Sequence, residues 1–181
     1  MNTRDAVSLL ATAVSTRGGT WADVGAGEGT FTHALAELLG GDAHIYAIDR
    51  DADAITELAR SAESLEATIT PVTADFSRTF ELPNLGDTLL DGLLFANALH
   101  FVRDADAVLA RLVRWLRPGG SVVIVEYDRR APSQWVPYPV SLARLSALAL
   151  AARLSTPTIT ATRPSAYGGN LYVATATYVS S

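Results

Sequence analysis

The segment WADVGAGEGT, residues 21–30, places three glycines between two runs of different character. Residues 20–24 form a short, mostly apolar run, which predicts a strand. Residues 30–39 carry apolar side chains at the spacing of one helix face, and Gly40 follows as a stop. Glycines at such a turn let a ligand approach the main chain closely. The segment therefore predicts a strand–loop–helix unit with a ligand site at the turn.

The alternation of strand and helix continues along the chain. Strands are predicted at residues 20–24, 44–48, 68–73, 89–96, 121–126, 158–163 and 171–178, and helices at residues 2–14, 30–39, 51–62, 104–116 and 140–154. Residues 76–87 are predicted as a loop and residues 118–120 as a turn, because both hold proline and glycine. The middle strands are continuously apolar, which is typical of a parallel sheet covered on both faces.

The last two predicted strands have no helix between them, only the connection at residues 164–170. We therefore expect them to pair antiparallel. Together the elements predict an α/β fold with a doubly wound, mostly parallel seven-stranded sheet and a C-terminal antiparallel strand pair. Ligands in such sheets bind outside the carboxyl ends of the strands, and the glycine turn lies at such an end.

Length and composition favour one domain that binds neither nucleic acid nor membrane. The chain has 181 residues, of which 49% are apolar, and a formal net charge of -5. This length suits a single domain over residues 1–181, with an N-terminal helical segment at 1–18 and a pocket-rim loop at 131–139. No signal peptide and no run of about 20 apolar residues stands out. We therefore expect a cytoplasmic protein.

The chain contains no cysteine, and all 14 of its basic residues are arginine. Disulfides and thiolate metal sites are excluded by the first fact, and lysine Schiff bases by the second. No metal site is predicted. Arg111, Arg114 and Arg117 form a stripe at helical spacing, which we interpret as a solvated helix face rather than a nucleic-acid site.

Two acids indicate which nucleotide the turn suits. Asp49 ends the second predicted strand, 20 positions after Gly29, where a carboxylate can accept hydrogen bonds from both ribose hydroxyls. The glycines follow the pattern G-x-G-x-G rather than the G-x-G-x-x-G of dinucleotide sites. Asp23, two residues before the first glycine, would attract an ammonium and a nearby sulfonium but repel a pyrophosphate. The pattern therefore favours S-adenosylmethionine over NAD.

Five segments in order resemble the motifs of class I (Rossmann-like) S-adenosylmethionine-dependent methyltransferases. They are DVGAGEGT at 23–30, IYAID at 45–49, TADF at 73–76, DGLLFANALH at 91–100 and LRPGGSVVI at 116–124. By this resemblance the chain is identified as a member of the small-molecule, type 11-like branch of that family. The resemblance implies S-adenosyl-L-methionine as methyl donor, S-adenosyl-L-homocysteine as product and a small molecule as acceptor.

The resemblance also implies a set of cofactor-binding residues. The set is Asp23, Gly25, Ala26, Gly27, Asp49, Arg50, Asp75, Phe76 and Asn97. The glycine turn would follow the methionine and ribose, Asp49 would bind the ribose, and Asn97 would lie beneath the sulfonium end. Asp75 would meet the adenine amino group, with Phe76 beside the ring.

His100 is the candidate general base. Methyl transfer depends mainly on holding nucleophile and methyl group in line, and a base is needed only if the acceptor must lose a proton. A histidine that merely packs beside the pocket fits the sequence equally well. For Glu126 and Asp128, after the fifth strand, we favour ordinary polarity at a strand end. Residues 134–138, QWVPY, fit either an aromatic rim or a plug over the sheet.

Several functions stay open on the sequence alone. The leading hypothesis is methyl transfer to a small-molecule acceptor. The alternatives are a non-catalytic or partner-dependent cofactor-binding subunit, an NAD-dependent oxidoreductase, and aminopropyl transfer on the same fold. A homodimer that completes the pocket is also open, since only about 18 residues precede the first strand and any lid from them is slight.

Overall fold

A mixed sheet of seven strands forms the centre of the fold, in a computed structural model that describes residues 1–128, 131–165 and 169–179. The strands are β1 Gly19–Val24, β2 Ala43–Asp49, β3 Thr68–Thr73, β4 Leu90–Ala96, β5 Leu116–Asp128, β6 Thr158–Pro164 and β7 Asn170–Thr177. Their order is β3-β2-β1-β4-β5-β7-β6. Neighbours among β1 to β5 pair parallel, and β7 pairs antiparallel with both β5 and β6. The predicted sheet is confirmed.

Helices cover both faces of this sheet. They are α1 Thr3–Leu10, α2 Thr30–Leu39, α3 Ala52–Ala62, α4 Ala105–Leu112 and α5 Leu142–Ala151, with 3₁₀ turns at Leu99–Phe101 and Val113–Trp115. Strand side chains alternate between the faces: Ile45 joins the cluster under α1 and α2, whereas Tyr46 and Ile48 join the cluster under α4 and α5. Within the described part of the chain, no helix is long and apolar enough to cross a membrane.

Several helices are shorter than predicted because local caps and strand pairing limit them. The side chain of Ser141 accepts from the backbone N–H of Arg144, so α5 begins after Ser141 and not at residue 140. The helix predicted at 104–116 ends at Leu112, since Leu116 pairs with Leu90 and opens β5. The helix predicted at 2–14 ends at Leu10.

The turn predicted at residues 118–120 is wrong. These residues belong to β5, whose register shifts between the partners Leu90 and Gly92. The backbone N–H of Gly119 donates to the Tyr178 carbonyl at 2.9 Å, and the Tyr178 N–H donates to Gly120 at 2.9 Å. Pairing with a distant segment thus overrides the local proline–glycine signal. In the predicted connection at 164–170, residues 166–168 lie outside the described residues.

Candidate functional site

A cleft of about 410 Å³ lies where β1, β2, β3 and β4 end. The chain leaves β1 toward β2 on one side and later returns to β4 on the other, and this reversal opens a crevice at the strand ends. Most of the residues predicted to bind a cofactor line the cleft: Gly25, Gly27, Asp49, Arg50, Asp75, Phe76 and Asn97. Asp23, Ala26 and His100 are not among the lining residues.

The glycine turn is shaped differently at its first two glycines. At Gly25, with φ +83°, a Cβ atom would stand 2.6 Å from the Ala98 Cβ, so only glycine fits. At Gly27, with φ +54°, no heavy atom lies within 4 Å of the Cβ position. Ala26 packs against the small cluster of Ala47 and Leu58. The turn is therefore tight against the segment that follows β4 at Gly25 and leaves open space at Gly27.

The Asp49 carboxylate is held at the wall of the cleft by two backbone donors. Gly27 N–H donates to Oδ2 at 2.8 Å, and Asp51 N–H donates to Oδ1 at 3.0 Å. Each carboxylate oxygen has a further lone pair that can accept from a ligand hydroxyl. Arg50, next in the chain, is exposed at the same wall. The arrangement suits a ligand with neighbouring hydroxyl groups.

Asp75 and Phe76 form the wall beyond β3. The Ser77 hydroxyl and backbone N–H both donate to Asp75 Oδ1, at 2.6 and 2.9 Å, and Arg78 Nε lies 3.5 Å from Oδ2. The hydrogen bond from the Ser77 side chain, helped by Arg78, holds the pKa of Asp75 below its ordinary value. The carboxylate therefore stays an acceptor at neutral pH, and half-buried Phe76 supplies an apolar surface beside it.

The predicted arginine stripe is not a uniform solvated face. Arg111 is half-buried, and its Nη2 donates to the Phe76 carbonyl at 2.7 Å, which ties the wall of the cleft to α4. The Phe80 and Trp115 rings pack edge to face nearby, 5.2 Å apart. Arg117 pairs with Asp91 at 2.7 Å. Sequence periodicity could not show these partners, because they lie far away in the chain.

Asp23 lies beneath the cleft and is fully buried at the end of β1. Its Oδ2 accepts from the Thr32 hydroxyl at 2.7 Å, whereas its Oδ1 has no hydrogen-bond partner among the described residues. Burial raises the pKa of Asp23 to about 7, and the nearby charge of Asp49 adds to the effect. Asn97, just past the end of neighbouring β4, is held at φ +55°, and its buried Oδ1 is likewise unpartnered within the described ranges.

These two buried oxygens indicate which kind of ligand group would suit this part of the site. Both Asp23 Oδ1 and Asn97 Oδ1 are acceptors, and buried acceptors without donors are costly unless something satisfies them. A ligand ammonium group offers three N–H donors and a positive charge. The residues present therefore fit the methionine end of S-adenosylmethionine, and the open space at Gly27 fits the passage of a ligand along the turn.

His100 lies in the 3₁₀ turn after β4, and the Glu126 carboxylate of β5 contacts both its backbone N–H and its imidazole ring. Glu126 Oε2 lies 2.7 Å from His100 Nδ1, and Oε1 accepts from the His100 backbone N–H at 3.2 Å. The two side chains are 3% and 0% exposed. Glu126 is thus a buried partner of His100, and the prediction of ordinary strand-end polarity is wrong for it. Separated by 26 positions, the pair left no signal in the sequence.

Phe101, which the sequence did not single out, lines the cleft next to Asn97 and Ala98. Its side chain is 51% exposed, and its ring centroid lies 4.4 Å from that of His100. The exposed Phe101 ring adds apolar surface to this side of the cleft. His33 and His44 lie elsewhere, in contact with Gly29 and Thr70.

Residues 131–139 form an ordered loop beside His100. Tyr138 N–H donates to the His100 carbonyl at 2.9 Å, and the Arg144 guanidinium donates to the carbonyls of Tyr138 and Pro139 at 2.8 and 3.0 Å. Trp135 is 70% exposed. Of the two interpretations of residues 134–138, a plug over the sheet does not fit Trp135, and only Val136 of this loop is buried among the core residues.

A family model described as a methyltransferase domain matches residues 15–158 of the chain. A search of curated proteins finds no match.

Solved structures share the fold at low sequence identity. One is a 1,6-didemethyltoxoflavin N1-methyltransferase from Burkholderia thailandensis, crystallised with its acceptor and S-adenosylhomocysteine, at 23% identity and TM-score 0.74 over 98% of this chain and 78% of that one. An arsenic(III) S-adenosylmethionine methyltransferase from Chlamydomonas reinhardtii has 17% identity and TM-score 0.73, over 98% and 73%. A methyltransferase from Aquifex aeolicus has 16% identity and TM-score 0.71, over 99% and 100%.

Proposed function

Since the chain belongs to the methyltransferase-domain family, of the class I S-adenosylmethionine-dependent type, we propose that it transfers a methyl group from S-adenosylmethionine to a small-molecule acceptor. The observation that carries the proposal is that two buried acceptors lack partners among the described residues: Asn97 Oδ1, whose residue lines the cleft, and Asp23 Oδ1, two positions before the glycine turn. A pyrophosphate would place negative charge against these oxygens, whereas an ammonium group satisfies them.

Different residues of the site are proposed to bind different parts of the cofactor. Asp49 accepts from the ribose hydroxyls, with Gly27 leaving room for the sugar and Arg50 at the rim. Asp75 accepts from the adenine amino group, with Phe76 against the ring. Asp23 and Asn97 lie at the amino-acid end. When bound, the cofactor supplies a methyl group on a positively charged sulfur, and the residues around it contribute mainly placement.

We propose His100 as the base for an acceptor that loses a proton. Glu126 is an acceptor at both of its oxygens, so it favours the proton of a neutral His100 ring on Nδ1 and leaves the Nε2 lone pair available. The buried carboxylate also fixes the turn that carries Phe101 at the cleft. Because Glu126 acts through His100, it is a positioning residue.

The neighbours of known activity act on different acceptors, a nitrogen heterocycle in one case and arsenic(III) in the other. Their shared fold therefore supports a small acceptor without identifying it. The second candidate function is that of a cofactor-binding subunit that needs a partner. Turnover of a methylation panel by the purified chain alone would remove that candidate.

Titration calorimetry with S-adenosylhomocysteine and NADH tests the proposed cofactor. We expect S-adenosylhomocysteine to bind and NADH not to. Asp49→Ala should weaken S-adenosylhomocysteine by about 1–3 kcal/mol, because charged hydrogen bonds to the ribose are lost. Asp53→Ala, at an exposed acid in the first turn of α3 that does not line the cleft, is the control and should bind as the wild type does. Binding of NADH alone would contradict the proposal.

The proton position on His100 can be measured without an acceptor. In ¹⁵N spectra of the neutral ring, we expect Nδ1 protonated and Nε2 bare. Glu126→Gln should reverse this, because an amide oxygen that accepts from the His100 backbone turns its NH₂ group toward Nδ1. His33→Gln and His44→Gln variants assign the remaining signals. A wild-type ring with its proton on Nε2 would rule out His100 as the base.

A further inference from the structure

A second cavity, of about 280 Å³, opens at the edge of the sheet opposite to the cleft. It lies where β1, β4 and β5 begin, beside residues 13–18, which precede β1. Because these three strands run parallel, the cavity and the cleft stand at opposite ends of the same part of the sheet. Among the described residues, none lines both spaces, so a ligand in this cavity would be separate from the cofactor.

Trp21 of β1 lines this cavity and carries a buried hydrogen-bond donor. The residue is 2% exposed, and its Nε1–H has no hydrogen-bond partner among residues 1–128, 131–165 and 169–179. The benzene edge of the indole packs against Gly92 of β4, which does not line the cavity, and Nε1 lies on the other edge of the ring. A buried donor without an acceptor is costly. A group that accepts hydrogen bonds therefore suits this position.

Two arginines, Arg17 and Arg117, give the cavity an excess of positive charge. Asp91 is the acid among its described lining residues, and both of its oxygens already have donors. Oδ1 accepts from Arg117 Nε at 2.7 Å, and Oδ2 accepts from the Thr20 backbone N–H at 2.8 Å. Exposed Arg17 makes no hydrogen bond or ion pair within the described part of the chain. One guanidinium charge is therefore left for an anionic ligand.

Hydroxyl groups add further donors to the wall. Ser15 and Thr16 are exposed before β1, and Ser121 lies in β5. None of these three hydroxyls has a partner among the described residues. A carboxylate has two oxygens to meet these donors, whereas a phosphate monoester has three strong acceptor oxygens and a charge of about -1.5 to -2 at neutral pH. Guanidinium groups also match the geometry of phosphate. The lining therefore favours phosphate over carboxylate.

We propose that this cavity binds a small organic phosphate, separately from the cofactor cleft. Arg17 and the outer N–H groups of Arg117 hold the phosphate oxygens, and the Trp21 N–H donates to one of them. The volume of the cavity exceeds that of a phosphate group alone and leaves room for a small organic part. This inference goes beyond the proposed methyl transfer and does not rest on it.

The indole signals in ¹H–¹⁵N NMR spectra test the proposal at the cavity itself. The chain has three tryptophans, Trp21, Trp115 and Trp135, and Trp21→Phe assigns the first signal by its loss. Glycerol 3-phosphate, titrated at constant ionic strength, should shift the Trp21 signal to saturation and leave the other two in place. Uncharged glycerol should leave all three in place. Acetate should bind at least about fivefold more weakly than glycerol 3-phosphate, because it makes fewer charged hydrogen bonds at this half-open site.

Two variants and one matched control locate the phosphate. Arg17→Gln should raise the dissociation constant of glycerol 3-phosphate about fivefold, because a charged hydrogen bond at an exposed site is lost. Trp21→Phe keeps a ring but loses the donor, and should weaken binding by a similar factor in calorimetry. Arg4→Gln is the control and should bind as the wild type does. Arg4 is an exposed arginine of α1 that does not line the cavity, and its side chain, like that of Arg17, has no partner in the described ranges.

The contrary outcomes are specific. A Trp21 signal that glycerol 3-phosphate leaves in place, or unchanged affinity in Arg17→Gln, overturns the assignment; if Trp21→Phe unfolds, Arg17→Gln decides. Equal affinity for acetate overturns the choice of phosphate. Saturation with S-adenosylhomocysteine should leave the affinity for glycerol 3-phosphate unchanged, and competition between the two would place the phosphate in the cleft and overturn the proposal. Failure of S-adenosylhomocysteine to bind would overturn the proposed function and leave this inference standing.

Discussion

Gly27→Val should abolish binding of S-adenosylhomocysteine while the protein stays folded. No heavy atom lies within 4 Å of the Gly27 Cβ position, so the side chain meets only the open space of the cleft, which the ligand would need. Residue 27 has φ +54°, and the left-handed conformation costs a residue with a Cβ about 1–2 kcal/mol. A domain of ordinary stability tolerates that cost. We expect the dissociation constant to rise by more than about 100-fold, or about 3 kcal/mol.

Gly86→Val is the matched control for this prediction. Gly86 has φ +55° and open space at its Cβ position, as Gly27 does, but it lies outside the lining of the cleft. It should lose similar stability and keep full affinity in calorimetry. Gly25→Ala should behave differently from both, because its Cβ would overlap that of Ala98 and destabilise the turn itself. Retained binding in Gly27→Val, or unfolding well beyond that of Gly86→Val, would contradict the placement of the ligand.

The sheet could be predicted because its strands are marked by local patterns. Continuous apolar runs such as residues 89–96 show burial on both faces, and the glycines at 25 and 27 mark a tight turn after a strand. Where pairing with a distant segment determines the secondary structure, the local sequence pattern gave a wrong prediction. Residues 118–120 read as a turn, yet backbone pairing with Tyr178 keeps them in β5. Helix ends failed for the same reason at Leu116.

In the candidate site, too, residues marked by local sequence patterns could be predicted, whereas contacts with distant partners could not. Asp49 could be found because an acid at the end of a strand is visible in the sequence, and Asp75 because its segment resembles a family motif; both line the cleft. The partner of His100 could not be found, because Glu126 reaches it only through the pairing of β4 with β5. The helical spacing of Arg111 predicted a solvated helix face, because spacing alone does not show the hydrogen bond to the Phe76 carbonyl. Contacts between side chains that lie far apart in the chain could not be predicted from the sequence.

Asp23 should make the protein less stable as the pH rises toward neutrality. Burial raises its pKa from 3.8 to about 7 in the folded state, so between these values the folded protein holds a proton that the unfolded chain has released. The stabilising proton is fully bound at about pH 4, and its contribution is lost as the pH passes through about 7. At about 1.4 kcal/mol per pKa unit, the free energy of unfolding should fall by about 4 kcal/mol over this range on account of Asp23.

Asp23→Asn isolates this contribution, because an amide keeps the shape and the acceptor for Thr32 but does not ionise. Between pH 5.5 and pH 8, urea unfolding should show the wild type losing about 2 kcal/mol more than the variant. Adding S-adenosylhomocysteine should reduce the difference, since its ammonium group stabilises the ionised form of Asp23. Parallel pH profiles of the two proteins would show that Asp23 ionises in the fold as it does in the unfolded chain.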